Sequence, residues 1–186
     1  MELQKELPKR KTNRLINYDY SSCGAYFITI CTCNRKNYFW KKIPDVLSNI
    51  NRYYKEAENI TNVGATIGRP FKVELSEYGE ITDKAINNIS EKYPNFSVDS
   101  YVIMPNHVHL LISVLIDEKV SSLNVPTVSR VINQFKGYVS KSVGKIIWQK
   151  SFYDHIIRSR EDYEAYLKYI DENPISWYYD ELYEKE

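Results

Sequence analysis

Long apolar runs are missing from this chain. The longest nearly unbroken one, residues 109–116, falls far short of the roughly 20 residues that span a bilayer, so no membrane crossing is expected. The opening MELQKELPKRKTNR has no apolar core of the kind a secretory signal needs, and a cytoplasmic protein is expected. Cysteine is scarce: only Cys23, Cys31 and Cys33 occur. An odd count behind such a start argues against a disulfide framework. Cys31 and Cys33 lie two apart in YFITICTC, so on a strand they share one face, and core positions are expected for both. Too few further ligands surround them for a zinc site. A dominant charge is also absent, the net value being +1. With 186 residues the chain has room for one domain with a proper core and little for two.

The near-zero net charge hides an uneven distribution. Residues 129–160 carry Arg130, Lys136, Lys141, Lys145, Lys150, Arg158 and Arg160 against the single acid Asp154. Residues 161–186 carry nine acids against Lys168 and Lys185. An arm at 1–20 adds Arg10 and Arg14 among its basic residues. The basic stretch is interleaved with Phe135, Tyr138, Trp148, Phe152 and Tyr153, which suits a nucleic-acid backbone with bases stacked on rings. Charge alone fits a solvated face equally.

Patterning gives an α+β order. AYFITICTC at 25–33 is rich in β-branched and aromatic residues and predicts a first strand. A helix at 43–57, a loop at 58–70 and a short strand at 71–75 follow. The spacing of Ile81, Ala85, Ile86 and Ile89 predicts a helix over 79–92. Strands at 96–104 and 107–116, separated by Pro105 and Asn106, predict a hairpin. Val128, Val131, Ile132, Phe135 and Val139 mark a helix at 127–142. Residues 146–158 read as extended, and residues 161–173 as a final helix stopped by Pro174. The expected organisation is a basic arm (1–20), one domain (21–178) and an acidic tail (179–186).

Two constellations carry chemistry. His107 and His109 sit at i and i+2, which on a strand puts both imidazoles on one face. Such a pair is either two hydrogen-bonded strand residues or two ligands of a metal, which then needs at least a third. On the last helix, Tyr163, Tyr166, Leu167 and Ile170 form a core stripe at i, i+3, i+4 and i+7. Tyr169 lies about 100° off it, with Asn173 one turn further on the same flank. The Asn173 amide oxygen can complete a metal site and the Tyr169 phenol can act as a nucleophile. Alternatively, Tyr169 is a surface aromatic and Asn173 a helix cap.

MPNHVHLLI (104–112), SRVINQFKGY (129–138), WQKSFYDHIIR (148–158) and YIDENP (169–174), with YFITICTCNR (26–35), resemble the IS200-like single-tyrosine transposases of the HUH endonuclease superfamily. The branch most resembled is the REP-associated tyrosine transposases, over roughly residues 20–178. The resemblance implies a ferredoxin-like sandwich with a largely antiparallel sheet and helices packed on it. It implies His107 and His109 as the metal-binding pair, Tyr169 as nucleophile and Asn173 as the amide ligand. The cofactor implied is Mg²⁺ or Mn²⁺, and the partner is single-stranded DNA near a hairpin, with a homodimer allowed. The expected chemistry is transesterification through a 5′-phosphotyrosine. Arg14, Arg130, Lys136, Trp148, His155 and Arg158 are the expected DNA contacts. A domesticated nucleic-acid-binding module without catalysis and a replication-initiator-like HUH nickase are the competing readings.

Overall fold

The computed structural model of the protein describes residues 22–42, 73–115, 126–174, 176–177, 180 and 182–183. Arg14, the basic arm, the helix expected at 43–57 and most of the loops expected around 58–70 and 117–126 lie outside the described residues.

Among the described residues, four strands and three α-helices run β1 (Gly24–Cys31), α1 (Glu77–Lys92), β2 (Phe96–Ile103), β3 (His107–Val114), α2 (Val128–Ser142), β4 (Tyr153–Ile157) and α3 (Arg160–Glu172). The sheet order is β2-β3-β1-β4, with every neighbouring pair antiparallel. This βαββαβ order with β1 and β3 central is the expected ferredoxin-like arrangement. Each helix begins where a hydroxyl can accept an otherwise unpaired amide: Ser76 for α1, Thr127 for α2 and Ser159 for α3. No helix among the described residues is long and apolar enough to cross a membrane.

Alternation divides the sheet into two faces. Tyr26, Ile28, Ile30, Val108, Leu110 and Ile112 point to one side and are fully buried. Tyr101 of β2 points the same way, and its hydroxyl donates to Asp83 of α1 at 2.7 Å. Helices α1 and α2 therefore seal this face, contributing Ala85, Ile86, Ile89, Val131, Ile132 and Phe135 to one core. The other face presents Phe27, Thr29, His107, His109 and His155, and α3 lies across it, Tyr166 stacking on Phe27 at 4.2 Å. A bulge between Val98 and Ser100 turns Asp99 to this side, where it accepts from the Tyr163 hydroxyl of α3 at 3.0 Å.

Three local expectations change. Strand β1 ends at Cys31, and Cys33 enters a 3₁₀ turn in which Asn34 and Arg35 have φ of 53° and 49°. Cys33 is therefore exposed and Cys31 half-buried, rather than both being core. The strand expected at 71–75 reduces, in its described part, to a single bridge from Leu75 to Trp40. In the 146–158 stretch, only residues 153–157 form a strand, Trp148 making one bridge to Thr32.

Candidate metal centre and tyrosine

His107 and His109 occupy the start of β3, opposite Cys31 and Thr29 of β1 in register. Both are buried, at 0% and 2% exposure. Burial pushes the His107 ionisation well below its ordinary value, with the neighbouring His109 and the Arg35 guanidinium adding to the effect. Burial alone brings His109 down to about 3. Both rings are therefore neutral at physiological pH, the form in which imidazole binds metals.

Their tautomers are set from behind. Asn106 donates through Nδ2 to the carbonyls of Leu182 (2.8 Å) and Arg35 (3.1 Å), which fixes its Oδ1 toward His107 Nδ1 at 2.8 Å. His107 Nδ1 thus carries the proton and Nε2 is a bare lone pair. That Nε2 lies 3.0 Å from His109 Nε2, while His109 Nδ1 lies 2.9 Å from Thr29 Oγ1. When the Thr29 hydroxyl donates to Nδ1, His109 donates to His107. When Thr29 accepts instead, two lone pairs converge, an arrangement that a cation or a hydrogen-bond donor satisfies.

Helix α3 brings the rest. The Tyr169 ring stands edge-on to His109, with centroids 5.2 Å apart, and also meets Phe27 at 5.8 Å. It remains 43% exposed. Tyr166, on the core stripe, is half-buried between Phe27 and His155, and burial followed by the nearby Tyr153 and Asp162 raises its ionisation. Asn173 caps α3, its amide donating to Tyr169 O at 3.0 Å. Its side chain is buried, at 4% exposure, yet Oδ1 has no hydrogen-bond partner among the described residues. An orphaned buried oxygen costs roughly 1–3 kcal/mol, and an amide oxygen that accepts from no donor is chemically able to serve as a metal ligand.

Sequence reasoning missed three groups here. Asn106 and Thr29 orient the rings, and Asp180 places Oδ2 3.9 Å from His107 Nε2. His107, His109 and Asp180 bring one donor atom each within 4.8 Å of one another. Because His107 is neutral, the 3.9 Å separation is not an ion pair. Thr29 had a faint signal, a hydroxyl at an inward position of an apolar strand. Asp180 had none, since it lies in the expected acidic tail.

The expected DNA contacts scatter. His155 sits on the α3 face with its ring 5.1 Å from Tyr166, and Nε2 donates to Asp162 Oδ2 at 3.0 Å. Its acidic neighbour is Asp162, while Asp154 points to the opposite face. Arg158 is exposed beside it. Arg130 is exposed on α2, away from the histidines. The Lys136 ammonium is held by the carbonyls of Gln149, Ser151 and Lys150 at 2.7, 3.3 and 3.4 Å, and Trp148 is buried between Phe39 and Phe135. These two side chains support the loop before β4 from inside the fold.

The chain is similar to several known proteins. The chain is 29% identical to an uncharacterised protein of Haemophilus influenzae, covering 94% of this chain and 93% of that one. It is 27% identical to a protein of the same organism named as a candidate REP-associated tyrosine transposase, over 60% of this chain and 67% of the relative. A solved structure of a REP-associated tyrosine transposase bound to a REP hairpin is similar at a TM-score of 0.49 and 18% identity, covering 88% of this chain and 74% of that one. The profile of the family described as "Transposase IS200 like" matches residues 72–173, more than half of the chain and the span from α1 to the α3 cap. With the histidine pair, Tyr169 and Asn173 all inside that span, the chain belongs to the IS200-like transposase family.

Proposed function

We propose that the protein cleaves and rejoins single-stranded DNA near hairpins by direct attack of Tyr169 on a phosphodiester. The observation that carries this reading is the Tyr169 ring, 43% exposed, standing 5.2 Å from the buried, neutral His109. One side of the Tyr169 residue is exposed, where a strand of DNA would lie, and its ring stands edge-on to the His109 imidazole. Tyr166 is a poorer candidate, because burial makes its phenolate harder to form.

His107, His109 and Asn173 would hold a divalent cation, Mg²⁺ or Mn²⁺, which when bound polarises a non-bridging phosphate oxygen. The chain's own residues do the rest. Asn106 and Thr29 fix the ring orientations, and α3 sets the phenol beside them. As the Tyr169 Oη–P bond forms, the P–O3′ bond breaks. The phenolic proton is released, and one proton returns to the departing 3′ oxygen. A 5′-phosphotyrosine and a free 3′-OH result. The reverse attack by a 3′-OH restores the phosphodiester without ATP, since the phosphotyrosine keeps the bond energy. A free tyrosine ionises near 10, so proton removal at neutral pH needs help from a nearby base or cation. Arg158 and His155 lie on the same face as Tyr166 and Tyr169 and suit the flanking phosphates. One chain sets Tyr169 against its own His109, so a homodimer is allowed but not required. The reading places the reaction in the cytoplasm, where chromosomal DNA is found.

The test is incubation with a hairpin-bearing single-stranded oligonucleotide and Mn²⁺. A covalent protein–DNA adduct is expected, lost in Tyr169→Phe and in His107→Ala. Cleavage without an adduct would instead indicate a hydrolytic phosphodiesterase, and DNA binding without cleavage a module with catalysis lost.

A further inference from the structure

Strand β4 forms one edge of the sheet. Its alternation sends Tyr153 and His155 to the face that α3 crosses, opposite Thr29 and Phe27 of β1, and Asp154 to the other face. The first two side chains are held differently. The His155 ring packs on Tyr166 at 5.1 Å and donates to Asp162. Tyr153 is 53% exposed, and among the described residues its hydroxyl makes no hydrogen bond and its ring no aromatic contact. Thr29 pairs in register with Tyr153 on one side and with His109 on the other, so the tyrosine stands two strands from the histidine pair, about 10 Å at the usual spacing.

The backbone leading into Tyr153 is fixed from within. Lys136 is only 8% exposed, and an ammonium buried this far needs hydrogen-bond partners. It finds them in the successive carbonyls of Gln149, Lys150 and Ser151. The Gln149 amide donates to the Cys31 carbonyl at 2.9 Å, and Phe152 is buried. The open ring therefore sits on a rigid support, which loses little freedom when a flat partner stacks on it. Lys150 and Arg158, both exposed, flank the strand.

We infer that Tyr153 is a stacking platform for an unpaired base of single-stranded DNA, close to the phosphodiester that Tyr169 attacks. This rests on the function proposed above and adds a substrate-binding residue to it. Every base has a flat π face, so a tyrosine ring takes any of them. The platform thus sets where the strand lies on the sheet and leaves the choice of sequence to other contacts. Lys150 and Arg158 suit the phosphates on either side of the stacked base. The distance from Tyr153 to the histidine pair suits the nucleotides next to the scissile phosphate.

The experiment uses full-length protein and a hairpin-bearing single-stranded oligonucleotide that the unaltered protein links to itself in Mn²⁺. Affinities are measured by fluorescence anisotropy on the Tyr169→Phe background, where no bond to DNA forms. Adding Tyr153→Ala should weaken binding about tenfold, within what one base stacked on a ring contributes. Adding Tyr153→Phe, which keeps the ring, should leave binding as it was. The stacked base is then located by removing, one at a time, the bases that flank the cleavage point. At one position the abasic oligonucleotide should bind the parent about tenfold less tightly than the intact one, while Tyr153→Ala should bind the two alike. Tyr153→Ala binding every oligonucleotide as the parent does would overturn the platform and leave the proposed cleavage standing. So would a loss from Tyr153→Ala that is the same on every abasic oligonucleotide. Unaltered protein that forms no adduct would overturn the proposed function, on which the platform rests.

Discussion

The two faces of the sheet use the same strands for opposite purposes. On β3, Val108, Leu110 and Ile112 go into the core under α1 and α2, while His107 and His109, in between, go to the side that α3 crosses. One face is apolar and closed. The other buries two neutral imidazoles, an orphaned amide oxygen and a carboxylate, and leaves Tyr169 half in solvent. The comparison teaches that the first face supplies the stability that lets the second bury polar groups, the unpartnered Asn173 oxygen among them.

The sharpest way to break this comparison is to cut one residue from each face. Leu110→Ala should cost about 2–5 kcal/mol of unfolding free energy, as a fully buried leucine does, measured by urea denaturation. His109→Ala should cost far less in chelator and yet bring metal-dependent cleavage to background. Equal destabilisation by the two would mean that both faces are structural.

Acid should separate the faces as well. The unfolded-state histidine titrates near 6.5 and the folded His109 near 3, with His107 also lowered. Between these values the unfolded chain binds protons that the native one refuses. In chelator, stability should therefore be unaffected by these groups above about pH 6.5 and fall as pH drops below it. The slope limit is ~1.4 kcal/mol per pH unit for each such ring. His109→Gln should remove about half of that slope, as read from denaturation midpoints at several pH values.

Much of this was legible in the sequence. The H-x-H spacing and strand alternation put both rings on one face, and helical periodicity separated Tyr169 and Asn173 from the core tyrosines. The hairpin and the boundaries of α2 and α3 followed from apolar spacing, the Pro105–Asn106 turn and the stop at Pro174. What was not legible depends on distant chain meeting in space. Asn106 looked like a turn residue, yet it is fully buried and joins Arg35 to Leu182. Lys136 and Trp148 looked like a nucleic-acid contact and a stacking ring, because charge and aromaticity are visible in sequence while burial is not.

Smaller effects refine the picture. Thr29→Val removes the hydroxyl facing His109 Nδ1 and should weaken Mn²⁺ binding about 10–100-fold, with unfolding free energy changed by less than Leu110→Ala changes it. Lys136→Met should lower stability by about 1–3 kcal/mol by releasing the carbonyls of 149–151. It should leave the salt dependence of DNA binding unaltered, where a lost phosphate contact would reduce the slope by about 0.9.

The most direct measurement of the central claim is the site of the covalent bond. The protein would be trapped on a hairpin-bearing oligonucleotide with Mn²⁺, digested, and the DNA-linked peptide sequenced by mass spectrometry. A 5′-phosphate on Tyr169 is the result this account predicts. Attachment to Tyr166 or Tyr153, or cleavage with no linked peptide at all, would contradict it.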